Sequence, residues 1–125
     1  MSEKNELVNN SGSAGKGSSI PDTVFGKFNW GAFGLTFIWG FFNKTPITLL
    51  FLVLLLIPIG SLLNLFIAIW FGIKGNEWAW QNKKWESVDH FHLVQKKWAI
   101  ASAIVLFCFI FLLLLPALII PWPQV

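Results

Sequence analysis

The chain has 125 residues, of which 55% are hydrophobic and only 12% are charged. Soluble domains carry about 25% charged residues, and a small domain buries a smaller share of its surface than a large one. A water-soluble fold of this size and composition would therefore expose large apolar patches. These numbers exclude a disordered chain, a disulfide-rich scaffold and an ordinary soluble enzyme domain. They predict a small integral membrane protein that is surrounded by lipid.

The charged residues argue against nucleic acid as a partner. All nine basic residues are lysines, and six acidic residues leave a net charge of +3. Arginine is the side chain that makes bidentate contacts with phosphate and guanine, and the sequence contains none. The single cysteine, Cys108, lies in an apolar run and is interpreted as a small hydrophobic residue. We therefore expect no nucleic-acid partner and no intrachain disulfide.

Residues 1–24 form a polar stretch rich in glycine, serine and asparagine, without hydrophobic periodicity. Such a composition predicts a flexible, disordered tail ahead of a helical membrane domain at 25–125. The stretch has no apolar core of the kind found in a secretory signal peptide. Insertion is therefore expected through the later hydrophobic segments, with the tail on the cytoplasmic side.

The first hydrophobic segment, 28–42, is dense in phenylalanine and glycine and contains Trp30 and Trp39. A helix of this length spans about 22 Å, which is shorter than the roughly 30 Å hydrocarbon core of a bilayer. Tryptophan prefers the headgroup level, so the segment is predicted to be an aromatic helix lying in the interface. The glycines could instead serve close packing against another helix, and their spacing does not separate these two uses.

The second segment, 46–73, starts a new helix at Thr45-Pro46, a capping residue followed by the proline that suits a first helical turn. Pro58 and Gly60 predict a helix break near its middle. The segment is then either a kinked single span or a pair of helices forming a re-entrant hairpin. Lysines lie on both sides of it, and only the hairpin keeps all of them in the cytoplasm. The positive-inside rule thus favours the hairpin.

The polar connection, 74–97, carries five lysines and is predicted to be cytoplasmic. Gly75 predicts the end of the preceding helix, and Ser87 predicts the cap of the next one.

The third segment, 98–120, has no charged residue and is long enough to span a bilayer. The expected membrane-interface anchors are the tryptophans and lysines that flank the apolar segments: Trp30, Trp39, Trp78, Trp80, Trp85, Trp98, Trp122, Lys74, Lys83, Lys84, Lys96 and Lys97.

A few polar or small residues are candidates for specific roles. Asn64 is an amide inside an apolar run and is expected to bond another helix. Ala99, Ser102 and Ala103 place small side chains on one side of the last helix and favour close helix packing. His90 and His92 are two positions apart, which separates their side chains by about 200° on a helix, so no metal site is predicted. No cofactor-binding motif is present either.

Two elements carry a family resemblance, and both lie between Phe28 and Trp85. The run Phe28-Asn29-Trp30-Gly31-Ala32-Phe33 leads through Trp39-Gly40 into an apolar stretch, which Gly72-Ile73-Lys74-Gly75-Asn76-Glu77-Trp78 closes. This pattern resembles a family of small bacterial inner-membrane proteins of unknown function, with N-W-x-A-F and G-x-x-G-N-x-W motifs. The resemblance covers about half of the chain. It implies a bacterial membrane protein and transfers no active site.

The sequence thus predicts an all-α membrane protein with an interfacial aromatic helix, a broken hydrophobic helix pair and one C-terminal transmembrane helix. Its expected place is the bacterial inner membrane, with the N-terminus and the 74–97 connection in the cytoplasm and the C-terminus outside. The favoured role is a non-enzymatic accessory or structural component. Its expected partners are the lipid bilayer, anionic headgroups, another membrane protein or a second copy. The alternatives are an oligomeric transporter or pore component and, more remotely, a ribonuclease or lipid-active enzyme.

Overall fold

The structure, a computed structural model, describes residues 11–12, 21, 24 and 26–123. Within these residues every regular element is a helix, and they contain no strand. This confirms the predicted all-helical fold for the described part of the chain. The elements in chain order are α1 (Trp30–Gly34), α2 (Thr36–Phe42), a 3₁₀ turn (Pro46–Leu49), α3 (Leu50–Leu55), α4 (Gly60–Asn82) and α5 (Val88–Ile119).

The longest helix, α5, has 32 residues and is long and apolar enough to cross a membrane. Ser87 caps it as expected, because its Oγ accepts a hydrogen bond from the backbone N–H of His90 at 3.0 Å. Asp89 lies in the first turn, where a negative charge is favourable for the helix dipole. The apolar segment predicted to begin at Trp98 is therefore the continuation of a helix that begins in the polar connection.

The chain breaks at Pro58 and Gly60, as predicted, and then folds back on itself. Asn64 Nδ2 on α4 donates to the carbonyl of Phe51 on α3 at 3.2 Å. In one continuous helix, residues separated by 13 positions would be about 20 Å apart. This contact therefore requires a helical hairpin rather than a kinked single helix.

The predicted end of the preceding helix at Gly75 is wrong, because α4 continues to Asn82. Gly75 instead provides room for a neighbouring segment. A Cβ at this position would lie 2.7 Å from the Cβ of Ala32, which belongs to α1. The carboxyl-terminal half of α4 is thus buried against α1, and this tertiary packing keeps the glycine inside the helix. The 74–97 connection consequently consists of the end of α4, a short link and the start of α5.

The first hydrophobic segment is divided into α1 and α2, and its glycines serve helix packing. A Cβ on Gly31 would lie 2.6 Å from the Cβ of Trp98, and one on Gly34 would lie 1.7 Å from Ser102 Oγ. Both contacts are with α5. The backbone of α1 therefore approaches α5 more closely than any residue with a side chain permits, which decides between the two glycine uses left open by the sequence.

We predict that Gly34→Ala destabilises the protein by about 1 to 3 kcal/mol, because the added methyl overlaps Ser102 Oγ. Adding Ser102→Ala should restore much of the loss, since the remaining distance to the residue 102 Cβ is 3.0 Å. Unfolding of the two single variants and the double variant in mixed detergent micelles measures this coupling. Effects that simply add would show that α1 and α5 do not meet at this pair.

The core includes three tryptophans that the sequence analysis assigns to membrane interfaces. Trp39, Trp80 and Trp85 are at most 1% exposed and pack with Phe71 and Phe91. The anchor interpretation is therefore wrong for these three side chains, because their rings are enclosed by protein. Trp80 and Trp85 lie near lysines along the chain, which resembles an interfacial pattern, but protein covers all three rings.

Most of the predicted tail, 1–24, lies outside the described residues. Four of its residues are described: Ser11, Gly12, Pro21 and Val24. The backbone N–H of Gly12 donates to the carbonyl of Trp80 at 2.8 Å, and Val24 is buried in the core. At these positions the chain contacts the helical domain.

Candidate functional site

A network of buried side-chain amides connects the aromatic segment to α4 and α5. Gln95 is at its centre. Its Oε1 accepts hydrogen bonds from Asn29 Nδ2 at 2.8 Å and from Trp39 Nε1 at 2.9 Å. Its Nε2 donates to Asn43 Oδ1 at 2.9 Å. One glutamine on α5 thus holds three points of the segment between residues 29 and 43.

Asn29 and Asn76 extend this amide network to α4. Asn29 Nδ2 also donates to Asn76 Oδ1 at 2.7 Å, while Asn29 Oδ1 accepts from the N–H of Ala32 and caps α1. Asn76 Nδ2 donates to the carbonyl of Lys27 at 3.1 Å. Each of the four amides is at most 8% exposed. A fully paired, uncharged network of this kind fixes the relative positions of helices.

Sequence reasoning missed the amide network. Asn29 and Asn76 lie in the two sequence motifs, but the motifs indicate no partner for either residue, and Gln95 lies outside them. The available signal was the occurrence of amides within strongly aromatic surroundings, where a buried polar group must be paired. Their pairing could not be derived from spacing, because Asn29 and Gln95 are separated by 66 positions.

A groove beside Asn64 is the second polar feature, and we call it the Asn64 groove. It has a volume of about 460 Å³ and is lined by residues of α1 to α5, among them Phe33, Phe51, Leu65, Leu106 and Asn64 itself. Asn64 bonds another helix through its Nδ2, as expected. Its Oδ1 is buried and makes no hydrogen bond within the described residues. The Asn64 groove therefore has largely apolar walls, with Thr36 and Ser61 as its hydroxyl residues, and the unused acceptor of Asn64 lies buried at one of its lining residues.

Lysines gather at the end of the molecule that contains the amide network. Lys83 Nζ donates to the carbonyl of Phe42 at 3.3 Å, which brings the end of α4 beside the segment leading to Lys44. Lys74 forms an ion pair with Glu77 at 3.2 Å. Lys27 is adjacent to Asn76 through its carbonyl, and Lys96 and Lys97 follow Gln95 in α5. The contacts thus connect the basic residues to a single end of the fold.

The remaining predicted anchors and packing residues have different environments. Trp30 is 58% exposed and Trp122 is 75% exposed, whereas Trp78 and Trp98 are half-buried. Ser102 is buried against α1, Ala99 is half-buried and Ala103 is exposed. These three small residues line a second groove together with Trp30 and Lys96. Of these three small residues, only Ser102 is fully buried by helix packing.

His90 and His92 lie in the first turns of α5 and do not join a set of metal ligands. The described residues contain no group of three or more histidine, cysteine, aspartate or glutamate side chains placed to hold one ion. Burial and the charge of Lys27 lower the pKa of His92 below its ordinary value of 6.5, while Asp89 acts in the opposite direction. The folded protein therefore favours the neutral imidazole.

This shift predicts a stability that falls as the pH is lowered below about 6.5, because the unfolded chain then binds a proton that the folded chain resists. His92→Gln should remove that part of the pH dependence and leave stability near pH 8 little changed. Thermal unfolding between pH 5 and pH 8, followed by circular dichroism, measures the difference between the two proteins. Equal pH dependence in both would assign the effect to other groups.

Comparison with known proteins yields no relative: no family model, no curated protein and no solved structure matches the chain. The resemblance to small bacterial inner-membrane proteins therefore stays a prediction. The functional interpretation depends on the geometry of the described residues.

Proposed function

We propose that this chain is a non-enzymatic protein of the bacterial inner membrane that acts as an accessory component, packing against other membrane proteins or a second copy of itself. The observation that carries the proposal is the exposure of α5. Its large hydrophobic side chains between Phe107 and Ile120 are exposed, with Leu115 the one half-buried exception. A helix of this kind is stable only where lipid or another membrane helix covers it.

The dimensions of α5 support a single crossing. The part from Trp98 to Ile119 spans about 32 Å as a helix, which matches a hydrocarbon core of about 30 Å. The half-buried Trp98 and exposed Trp122 then lie near opposite interfaces, where tryptophan is enriched. The residues from 110 to 119, which we call the lower half of α5, are exposed apart from the half-buried Leu115, so this part is available to a partner.

The hairpin of α3 and α4 supports partial insertion from the same side. The apolar part of α4, from Gly60 to Ile73, is about 20 Å long, so it ends inside a core of about 30 Å. Among the described lysines, Lys27 and Lys83 contact the opposite end, near the amide network. This arrangement satisfies the positive-inside rule with the lysine-rich end in the cytoplasm and the C-terminus outside. α1 packs against α4, and α2 contacts both α3 and α4, so these two helices cover one side of the hairpin.

Cysteine labelling of intact cells and inverted vesicles tests this topology. In a Cys108→Ser background, single cysteines replace the exposed residues Lys44, Ile59, Glu86 and Pro123. We expect positions 44 and 86 to react with an impermeant maleimide only from the cytoplasmic side and position 123 only from outside. Position 59, at the hairpin turn, should be protected from both sides. Labelling of positions 44 and 86 from opposite faces would disprove the hairpin topology.

The accessory role has a separate test. The tagged full chain is captured from native membranes after crosslinking, and its partners are identified by mass spectrometry. We expect a reproducible membrane-protein partner or a crosslinked homo-oligomer whose contacts map to the lower half of α5. Reproducible recovery of no other membrane protein, together with ion flux in liposomes, would instead support the oligomeric transporter or pore alternative.

A further inference from the structure

Asn64 leaves one buried hydrogen-bonding atom unused. The side chain is 4% exposed, and donation from Nδ2 to the Phe51 carbonyl fixes which way the amide points. Oδ1 makes no hydrogen bond within the described residues, and water has no access to it. A buried acceptor without a partner costs about 1 to 3 kcal/mol. A ligand that donates a hydrogen bond would remove this cost.

The Asn64 groove limits the width of such a ligand. Its volume is about 460 Å³. A helix about 10 Å in diameter would fill that volume with only about one turn of 5.4 Å, so a partner helix does not fit inside it. A single hydrocarbon chain is much narrower and matches the apolar walls formed by Phe51, Leu65 and Leu106.

The depth of the Asn64 groove limits the chemistry of the ligand. Phe109 lines the groove and lies about 16 Å along the helix from Trp98, which is placed at the membrane interface. Phe109 is therefore close to the midplane of a hydrocarbon core of about 30 Å. A charged group is costly at this depth, whereas a neutral hydroxyl is tolerated when it is hydrogen-bonded. The ligand therefore combines an apolar chain with an uncharged donor.

We propose that the Asn64 groove binds a single-chain lipid through a hydroxyl group that donates a hydrogen bond to Asn64 Oδ1. Leu55 and Leu65 border the groove, and their side chains are half-exposed. Because Asn64 Oδ1 is buried, binding requires a side-chain movement that opens this atom to the groove. This inference rests on the membrane placement proposed above and is independent of the accessory role. It adds a ligand site to a surface that otherwise serves helix packing.

The test uses the full chain in lipid nanodiscs and a hexadecanol that carries a photoactivatable diazirine in its chain. The matched probe is the hexadecane analogue with the same diazirine and no hydroxyl. We expect the alcohol to label the peptides of α3 and α4 at least fivefold more than the alkane does. Asn64→Leu should lower alcohol labelling about fivefold, the effect of one hydrogen bond of about 1 kcal/mol.

A second pair of variants leaves Asn64 unchanged. Leu65→Trp blocks the groove, whereas Leu62→Trp adds the same side chain at an exposed position on α4 that does not line it. We expect Leu65→Trp to abolish alcohol labelling of α3 and α4 and Leu62→Trp to preserve it. Equal labelling by alcohol and alkane, or labelling unaffected by Leu65→Trp, would overturn the proposal.

Two further outcomes are informative. A disulfide-linked homodimer formed by Leu65→Cys in native membranes would assign the groove to a second copy and also overturn the lipid proposal. Labelling of the lower half of α5 by both probes tests membrane placement separately. Absence of that labelling would contradict the proposed function, whereas its presence with no preference for the alcohol would contradict the lipid site alone.

Discussion

We expect Gln95→Leu to lower the free energy of unfolding by about 3 to 5 kcal/mol, the largest effect of any substitution considered for this protein. The change removes three hydrogen bonds from the amide network at once. Trp39 Nε1 and Asn43 Oδ1 lose the partners that Gln95 supplies, and both side chains remain buried. Each unpaired buried group costs about 1 to 3 kcal/mol, and leucine has no atom that can replace either bond.

Gln81→Leu is the matched control. It makes the same substitution on a half-buried glutamine of α4 that is not a member of the amide network. We expect its effect to stay within about 0.5 kcal/mol, as for most substitutions away from the core. Unfolding of both variants in mixed micelles, followed by tryptophan fluorescence, measures the difference. If both variants are equally stable, the amide network does not hold the aromatic segment in place.

The features that the sequence predicted correctly depend on neighbouring residues along the chain. The break at Pro58 and Gly60 and the cap at Ser87 follow from the backbone preferences of these residues and the bonds of nearby side chains. The length and composition of the third apolar segment are also local properties. Such features could be predicted because the physical causes lie within a few residues of the structure they produce.

The features that the sequence could not predict depend on distant segments. A glycine after an apolar run often ends a helix, but Gly75 lies within α4 because Ala32 packs against it. Trp80 and Trp85 follow an interfacial pattern, yet Phe91 and other core residues cover their rings. Gln95 accepts a hydrogen bond from Trp39 and donates one to Asn43, and both partners are more than 50 positions away along the chain. Pairings at this separation are not encoded in any local spacing.

The fold therefore divides its polar groups by role. At the lysine-rich end, neutral amides pair with one another and hold the aromatic segment between α4 and α5. Within the hairpin, Asn64 pairs only one of its two polar atoms. A polar network that is complete favours a structural role, whereas a buried acceptor that remains unused is a candidate for binding.

The second large effect is expected for Gly60→Ala, which should destabilise the hairpin by about 3 kcal/mol. A Cβ at residue 60 would lie 1.5 Å from the carbonyl oxygen of Leu54 and 2.6 Å from its carbonyl carbon. Both atoms belong to the backbone, so no side-chain rotation can relieve the overlap. The turn between α3 and α4 must open, which also stretches the hydrogen bond from Asn64 to Phe51.

Ser61→Ala is the control, since it gives alanine at the next residue of α4, where the change removes an exposed hydroxyl and adds no atom. We expect this variant to unfold like the unchanged protein, while Gly60→Ala unfolds at a lower denaturant concentration. In the labelling experiment, Gly60→Ala should also make a cysteine at position 59 accessible from one face, because the opened turn moves out of its protected position. Wild-type stability and protection in Gly60→Ala would mean that α3 and α4 do not form the tight hairpin on which the Asn64 groove depends.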